Sequence, residues 1–526
     1  MMTLFENGKI YTPGLGVSDS FAVRDGFFVS SEEAVRPDRV IDLKGAFVCP
    51  GFIDTHMHLA EYGRAILSCD LDAHTGSLKE VVEYMREFSV KNPPGRGEWL
   101  YARGWNNDRF ADENRFLNRH DLDQVSTEVP IYAERTCGHC VCVNSKALEA
   151  AGVTAATPDP EGGRIGRENG EPDGMLYDSA IDLIRLAMPE PDVEAFKRYI
   201  RAASRALNAF GVTTSMTDDF NAYPWRPVVR AYEELETAGE LTVRVYEQSY
   251  FDKPKRLKEF WAAGYTTGTG SDRFRIGPLK MIVDGAVGAH TAYLSEPYSD
   301  RPDTCGAMVY TQAVLDEMIG LANRNDMQVA IHTIGDRCLD MVMDAYEKAF
   351  QEHPREDHRD TLIHCLVTRP DQLPRIKALG LRVHFQTAFL DYHCRIAKLR
   401  LGEKRAEESY AWKSMRELGI PVSNSSDAPV EIPSPLRGIQ LAVTRRPLDG
   451  TGEALNPKEA FSLEEAIAGY TTEAAPASFD ENRKGKILPG FLADFVILSA
   501  DPFETDPMKL SGIRVLETWV GGKRVF

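Results

Sequence analysis

The chain has 526 residues, too many for one compact core, and fits one large domain with smaller attachments. Its 43% hydrophobic and 27% charged residues are globular values that exclude a disordered or fibrous chain. A net charge of -18 argues against a nucleic-acid partner, because an acidic surface repels phosphate.

The 9 cysteines are thinly spread and odd in number, which speaks against a disulfide framework and for a reducing compartment. The start, Met1-Met2-Thr3-Leu4-Phe5-Glu6, lacks the basic and apolar regions of a signal peptide. No run reaches about 18 uncharged apolar residues, so no membrane span or membrane partner is expected and the default location is cytoplasmic.

In chain order, residues 1–51 read as short strands, with Val40–Leu43 and Ala46–Val48 as apolar runs punctuated by Gly8, Gly14, Gly26 and Gly45. Residues 485–526 look similar, with Asp494–Leu498 and Arg514–Val520 strand-like and Gly521-Gly522 a turn. The two ends are expected to meet in one small β-sandwich, since termini often lie close together.

The middle, 52–484, alternates apolar strands with helical patterns. Eight candidate strands are Gly51–Asp54, Val212–Met216, Leu241–Val245, Leu279–Val283, Gln328–His332, Thr361–His364, Leu381–Phe385 and Pro421–Ser425. Helical stretches such as Ala195–Phe210 and Leu315–Asn325 lie between most of them. The fold class is therefore α/β, a (β/α)8 TIM-type barrel. About 150 residues separate the first two strands, where a barrel of this type uses about 30 per unit. The surplus, 70–176, reads as an inserted subdomain or lid after strand 1.

The chemistry starts from His56 and His58. Residues two apart on a strand point the same way, so both imidazoles can reach one metal. His332 and His364 each end a later candidate strand, Asp427 follows the eighth, and Lys280 lies on the fourth. Singly, each has an ordinary explanation: a hydrogen-bonded histidine, a snorkelling lysine, a turn aspartate. Together, in strand order, they fall on the rim where barrel active sites sit. Imidazole and carboxylate donors suit Zn, Mn or Fe.

At this point the chain resembles the amidohydrolase superfamily, in the YtcJ-like branch of amidohydrolase family 3, with enzymes of the N-substituted formamide deformylase type. The likeness runs nearly end to end. It rests on Pro50-Gly51-Phe52-Ile53-Asp54-Thr55-His56-Met57-His58, Arg103-Gly104-Trp105-Asn106, Gly138-His139-Cys140-Val141-Cys142-Val143-Asn144-Ser145, Gly162-Gly163, Lys280-Met281-Ile282-Val283-Asp284-Gly285, His332-Thr333-Ile334-Gly335-Asp336, Ile363-His364-Cys365, Ser426-Asp427-Ala428-Pro429 and Pro489-Gly490-Phe491-Leu492-Ala493-Asp494.

The resemblance implies a binuclear metal centre, most simply two Zn. His56, His58 and Asp427 would hold the more buried ion and His332 and His364 the second. Lys280 would bridge them as an N6-carboxylated lysine. Asp427 would carry the catalytic proton, and Trp105, His139, Asp284 and Gln386 would contact substrate. The implied activity is hydrolysis of a C–N bond (amide, formamide or cyclic amide) in a small molecule. A lyase or isomerase on the same metals is the alternative, and a non-catalytic metal-binding regulator a second one. The expected partners are that small molecule and, at most, a second copy as a homodimer.

The stretch Thr136-Cys137-Gly138-His139-Cys140-Val141-Cys142 departs from the family pattern in its cysteines. No second cysteine pair lies at a zinc-site spacing, so Cys137, Cys140 and Cys142 read as thiols, buried ones being the simplest case.

Overall fold

All eight candidate strands of the middle segment join one parallel sheet. They are β1 (Phe52–Met57), β2 (Val212–Thr217), β3 (Arg244–Tyr250), β4 (Phe274–Ile282), β5 (Val329–Thr333), β6 (Thr361–His364), β7 (Arg382–Phe385) and β8 (Val422–Asn424). Neighbours in sequence are neighbours in the sheet throughout. The computed structural model describes every residue except Arg96, Asn114 and Gly138, so Gly138 of the insert motif lies outside the described residues.

The result is a nearly closed, eight-stranded α/β barrel. Parallel strands need a crossover between them, and helices such as Trp225–Thr237, Gln312–Arg324 and Asp336–Glu352 supply it. Trp225–Thr237 buries Val228, Val229, Ala231, Tyr232 and Leu235, one stripe at helical spacing, and turns its charges outward.

Among the described residues, no ladder is recorded between β1 and β8; side chains and a loop link them. The Thr55 hydroxyl donates to the Asn424 carbonyl at 3.0 Å, and the Ser423 hydroxyl donates to Thr55 Oγ1 at 3.1 Å. Beyond the strands, Asp427 N donates to the His56 carbonyl (2.9 Å) and His58 N to the Ala428 carbonyl (2.8 Å). The seam therefore holds His56, His58 and Asp427 in fixed register.

Strands from both chain ends enter one six-stranded sheet. Its order is Lys523–Arg524, Val515–Val520, Phe495–Leu498, Phe47–Pro50, Lys9–Thr12, Gly16–Ser18. A four-stranded sheet of Phe27–Val29, Phe21–Arg24, Met2–Glu6 and Arg39–Asp42 contributes to the same apolar cluster, where Phe5, Phe21, Phe28, Phe495 and Trp519 meet. Phe495 stacks on Trp519 with ring centroids 5.4 Å apart. Asp494, at the edge of this region, binds Arg244 of β3 through two hydrogen bonds of 2.7 and 3.0 Å, both side chains being buried.

The chain divides into two compact units, Met1–Glu61 with Ala203–Phe526, and Tyr62–Ala202. The second has its own six-stranded sheet, from Gly163–Glu168 through Glu171–Asp178, Cys140–Val143, Ile131–Arg135 and Leu100–Trp105 to Cys69–Asp70. Strand alternation is plain there: Cys140 and Cys142 enter one apolar cluster, Val141 and Val143 another. Among the described residues, no helix is long and apolar enough to cross a membrane.

Candidate metal centre

The C-terminal ends of parallel barrel strands share one rim. His56 lies on β1 and His58 just after it, Lys280 on β4, His332 on β5, His364 at the end of β6, and Asp427 in the loop after β8. All six line one cavity of about 330 Å³.

Asp427 sits among the imidazoles. Its Oδ1 is 3.2 Å from His56 Nε2 and 3.3 Å from His58 Nε2. Ligand atoms of His56, His364 and Asp427 all lie within 4.8 Å of one another. The rings of His332 and His364 are 4.5 Å apart between centroids, and those of His56 and His364 are 5.6 Å apart.

The far nitrogen of each ring decides what the near one can do. Gln248 on β3 donates its amide to the Thr55 carbonyl at 3.0 Å, so its Oε1 faces His56 Nδ1 at 2.7 Å. His58 Nδ1 meets the Asp218 carbonyl at 2.8 Å. Gln386 donates to Ser425 Oγ at 2.8 Å and presents Oε1 to His364 Nδ1 at 2.7 Å. Each acceptor fixes the proton on Nδ1 of the neutral ring and leaves Nε2 with a lone pair. His332 is reversed: its Nε2 faces the Gly285 carbonyl at 3.2 Å, which leaves the lone pair on Nδ1. Neutral imidazole lone pairs and one carboxylate are a donor set that fits a borderline divalent cation.

Electrostatics follow the burial. Burial lowers the proton affinity of His56, to a pKa of about 4, and pushes that of His364 well below the usual histidine value. Burial acts the same way on His58 and is the largest single effect, but the hydrogen bond to ionised Asp427 and the charges of Asp427 and Asp218 together outweigh it and hold the pKa at about 9. His58 is the more exposed of the two rings on Asp427, so it keeps the proton. Burial opposes the charge on Asp427, yet the surrounding histidines keep its carboxyl well below the ordinary range. Burial also lowers the pKa of Lys280, whose Nζ lies 3.4 Å from Asp218 Oδ2.

The backbone is held in uncommon conformations at two of these positions. Asp427 has φ 60°, and His364 and Cys365 have φ 73° and 47°, all left-handed for non-glycine residues. Such geometry persists where the surroundings over-determine it. Here the Trp412 indole donates to the His364 and Cys365 carbonyls (3.2 and 3.3 Å), and Cys365 N donates to the Thr333 carbonyl (2.8 Å).

The remaining predicted residues take other places. Asp284 does not line the cavity; it is buried, accepts the N–H groups of Tyr293, Ile334 and Gly335, and lies 3.3 Å from His332 Nε2. Gln386 likewise stands behind His364. Both hold candidate ligands in place. Trp105 and His139 belong to the Tyr62–Ala202 unit. Trp105 is a core residue there, with its indole N–H on the Ala133 carbonyl at 2.9 Å. His139 is exposed and pairs with Asp178 at 3.1 Å.

The cavity also contains residues that the sequence alone does not single out. Ile282, Val287, Ile334, Leu366, Phe389 and Val430 make it largely apolar, and Asn221, His393 and Glu431 are its polar points. Glu431 is half-buried, and burial raises its pKa to about 7. Its only signal in the sequence was its place four residues beyond Asp427 on the rim. Gln248 had none, being one polar residue in an unremarked stretch.

The amidohydrolase family pattern matches residues 39–526. The chain belongs to the amidohydrolase family. It is 34% identical to the amidohydrolase-like YtcJ of Bacillus subtilis (strain 168), over 92% of this chain and 90% of that one. It is 28% identical to the N-substituted formamide deformylase of Arthrobacter pascens, over 93% and 90% respectively. Among solved structures, an uncharacterized metal-dependent hydrolase from Pyrococcus furiosus is similar at a TM-score of 0.79 and 29% identity, over 96% of this chain and 100% of that one.

Proposed function

We propose that the chain is a metal-dependent hydrolase that uses water to cleave the C–N bond of a small amide, formamide or cyclic amide. The observation that carries this reading is the convergence of four tautomer-fixed histidines, Asp427 and Lys280 on one rim cavity. Family membership and the deformylase relative support the bond type.

In this reading His56, His58 and Asp427 would hold one divalent ion and His332 and His364 a second, with zinc favoured and Mn or Fe compatible with the donors. Lys280, as its N6-carboxylate, would be the sixth protein ligand. When bound, the metals supply an acidified water and polarise the substrate carbonyl. Asp427, kept ionised, takes the proton of the attacking water and delivers it to the leaving nitrogen. Gln248, Gln386 and the Asp218 and Gly285 carbonyls keep the imidazoles aimed while charge moves. The apolar wall excludes bulk water and selects an apolar substrate group, while Glu431 offers its carboxyl to a polar N–H. The two terminal sheets are read as a small composite β-sandwich, and the Tyr62–Ala202 unit as a subdomain inserted after β1.

The test is turnover by purified, metal-loaded protein on N-acyl amines, formamides, N-acyl amino acids and cyclic amides. One class should be hydrolysed, with one water added per bond cleaved. Asp427→Asn should lower the rate by at least about 10²-fold, the lower range for a lost general acid–base group. Full activity in folded Asp427→Asn or His56→Ala would overturn the reading.

A further inference from the structure

Two thiols of the Tyr62–Ala202 unit have no part in the hydrolase site. Strands Ile131–Arg135 and Cys140–Val143 form an antiparallel hairpin, paired at Ala133↔Cys142 and Glu134↔Val141. Cys137 lies in the connecting loop and is exposed; Cys140 begins the second strand and is buried. Two residues separate them in sequence, and each thiol acts on the ionisation of the other.

The described loop residues are tied down on both sides. Thr136 N donates to the Trp105 carbonyl (3.1 Å) and its hydroxyl to the Gly104 carbonyl (3.0 Å). Asp178 N donates to the His139 carbonyl (3.0 Å), and the His139 ring meets the Asp178 carboxylate (3.1 Å). Arg135 stands beside the Cys137 thiol, and Asn106, Asn107 and Asp108 hold its guanidinium with bonds of 3.0, 3.0 and 2.7 Å.

This arrangement separates the two sulfurs chemically. Partial burial opposes ionisation of Cys137, but Arg135, the His139 backbone N–H and the Cys140 thiol together outweigh it and leave its pKa below the ordinary thiol value. Burial pushes Cys140 up to about 12. An exposed, cation-facing thiol beside a buried one is the pattern of an attacking and a resolving cysteine. Cysteines three apart at the end of one hairpin can reach an S–S bond of about 2 Å by local movement of the connecting loop.

We propose that Cys137 and Cys140 form a reversible dithiol–disulfide pair that exchanges with small disulfides such as oxidised glutathione. The Cys137 thiolate attacks one glutathione sulfur; the glutathione S–S bond breaks, and one glutathione leaves with the proton Cys137 gave up. The Cys140 sulfur then attacks Cys137 in the mixed disulfide, and the second glutathione leaves with the Cys140 proton. The protein loses two electrons and two protons, and one disulfide is reduced to two thiols.

The experiment incubates full-length protein across a series of reduced-to-oxidised glutathione ratios, quenches in acid, alkylates the remaining thiols and maps peptides by mass spectrometry. The wild type should yield a peptide with Cys137 joined to Cys140, in amounts that rise with oxidised glutathione and reverse with dithiothreitol. Cys140→Ser should stop at one glutathione on Cys137, and Cys137→Ser should leave Cys140 unmodified. Cys305 and Cys394, both half-buried, are internal references and should react several-fold more slowly. Glutathione that stays on wild-type Cys137 without passing to Cys140 would overturn the pair, as would a Cys137 that reacts no faster than Cys305. The wild-type measurement decides the matter by itself if either variant fails to fold.

Discussion

At the scale of single residues, the contest between His58 and a metal for Asp427 sets a pH dependence. The pKa of His58 is raised to about 9 in the metal-free protein, so the ring is cationic at neutral pH. The hydrogen-bonded pair then contributes stability that is complete below about pH 6.5 and is lost as pH rises through about 9. A ligating histidine must be neutral, so metal uptake at neutral pH has to expel that proton. Calorimetric metal titrations in buffers of different ionisation enthalpy should show proton release at neutral pH that fades above about pH 9, with apparent affinity rising over the same interval. An affinity independent of pH would remove His58 from the ligand set. Of the residues around the candidate metal site, His56, His58, Lys280, His332, His364 and Asp427 were legible because titratable side chains recur on or just beyond the candidate strands. Gln248 and the Asp218 and Gly285 carbonyls were not, because any polar residue or backbone group can orient an imidazole and only the folded chain says which one does.

At the scale of elements, the β1–β8 seam is where side chains link the barrel's first and last strands. Thr55 both donates to the Asn424 carbonyl and accepts from Ser423. Thr55→Val would leave those buried groups unpaired and should cost about 1–3 kcal/mol in denaturant unfolding. It should also weaken metal binding, because His56 is the next residue. Unchanged stability would show that Asn424 and Ser423 find other partners. The eight strands were found from apolar runs, but two were displaced. β3 was expected at Leu241–Val245 and runs Arg244–Tyr250. Its second half carries Glu247, Gln248 and Ser249, buried polar residues that break the apolar pattern inside the barrel. β4 begins at Phe274, before a Gly277-Pro278 step that reads as a turn in isolation. In both cases the side chains that misled the pattern are ones tertiary context tolerates or the site requires.

At the scale of the whole molecule, Asp494 ties the first unit together. Besides holding Arg244, it accepts from Gly521 N through Oδ1 at 2.7 Å, and its carbonyl accepts from Gly51 N at 2.9 Å. It thereby fastens the entry to β1, the C-terminal turn and β3. The motif ending in Asp494 was visible in the sequence, but its partner, 250 residues earlier, was not. Arg244→Met would strand a buried carboxylate and should destabilise the protein by about 3–5 kcal/mol. The Arg244→Met, Asp494→Leu double variant should recover most of that loss in the same unfolding measurement. A double variant no better than the single would mean that Asp494 acts mainly through the Gly521 bond.

The proposed function stands on the six rim residues holding two metal ions. Elemental analysis of the purified full chain, beside Lys280→Ala and His364→Ala, tests it most directly. Two tightly held divalent ions per wild-type chain are expected, with a loss of metal in both variants. A wild-type chain without tightly held metal, or the same two-ion content in all three proteins, would contradict it.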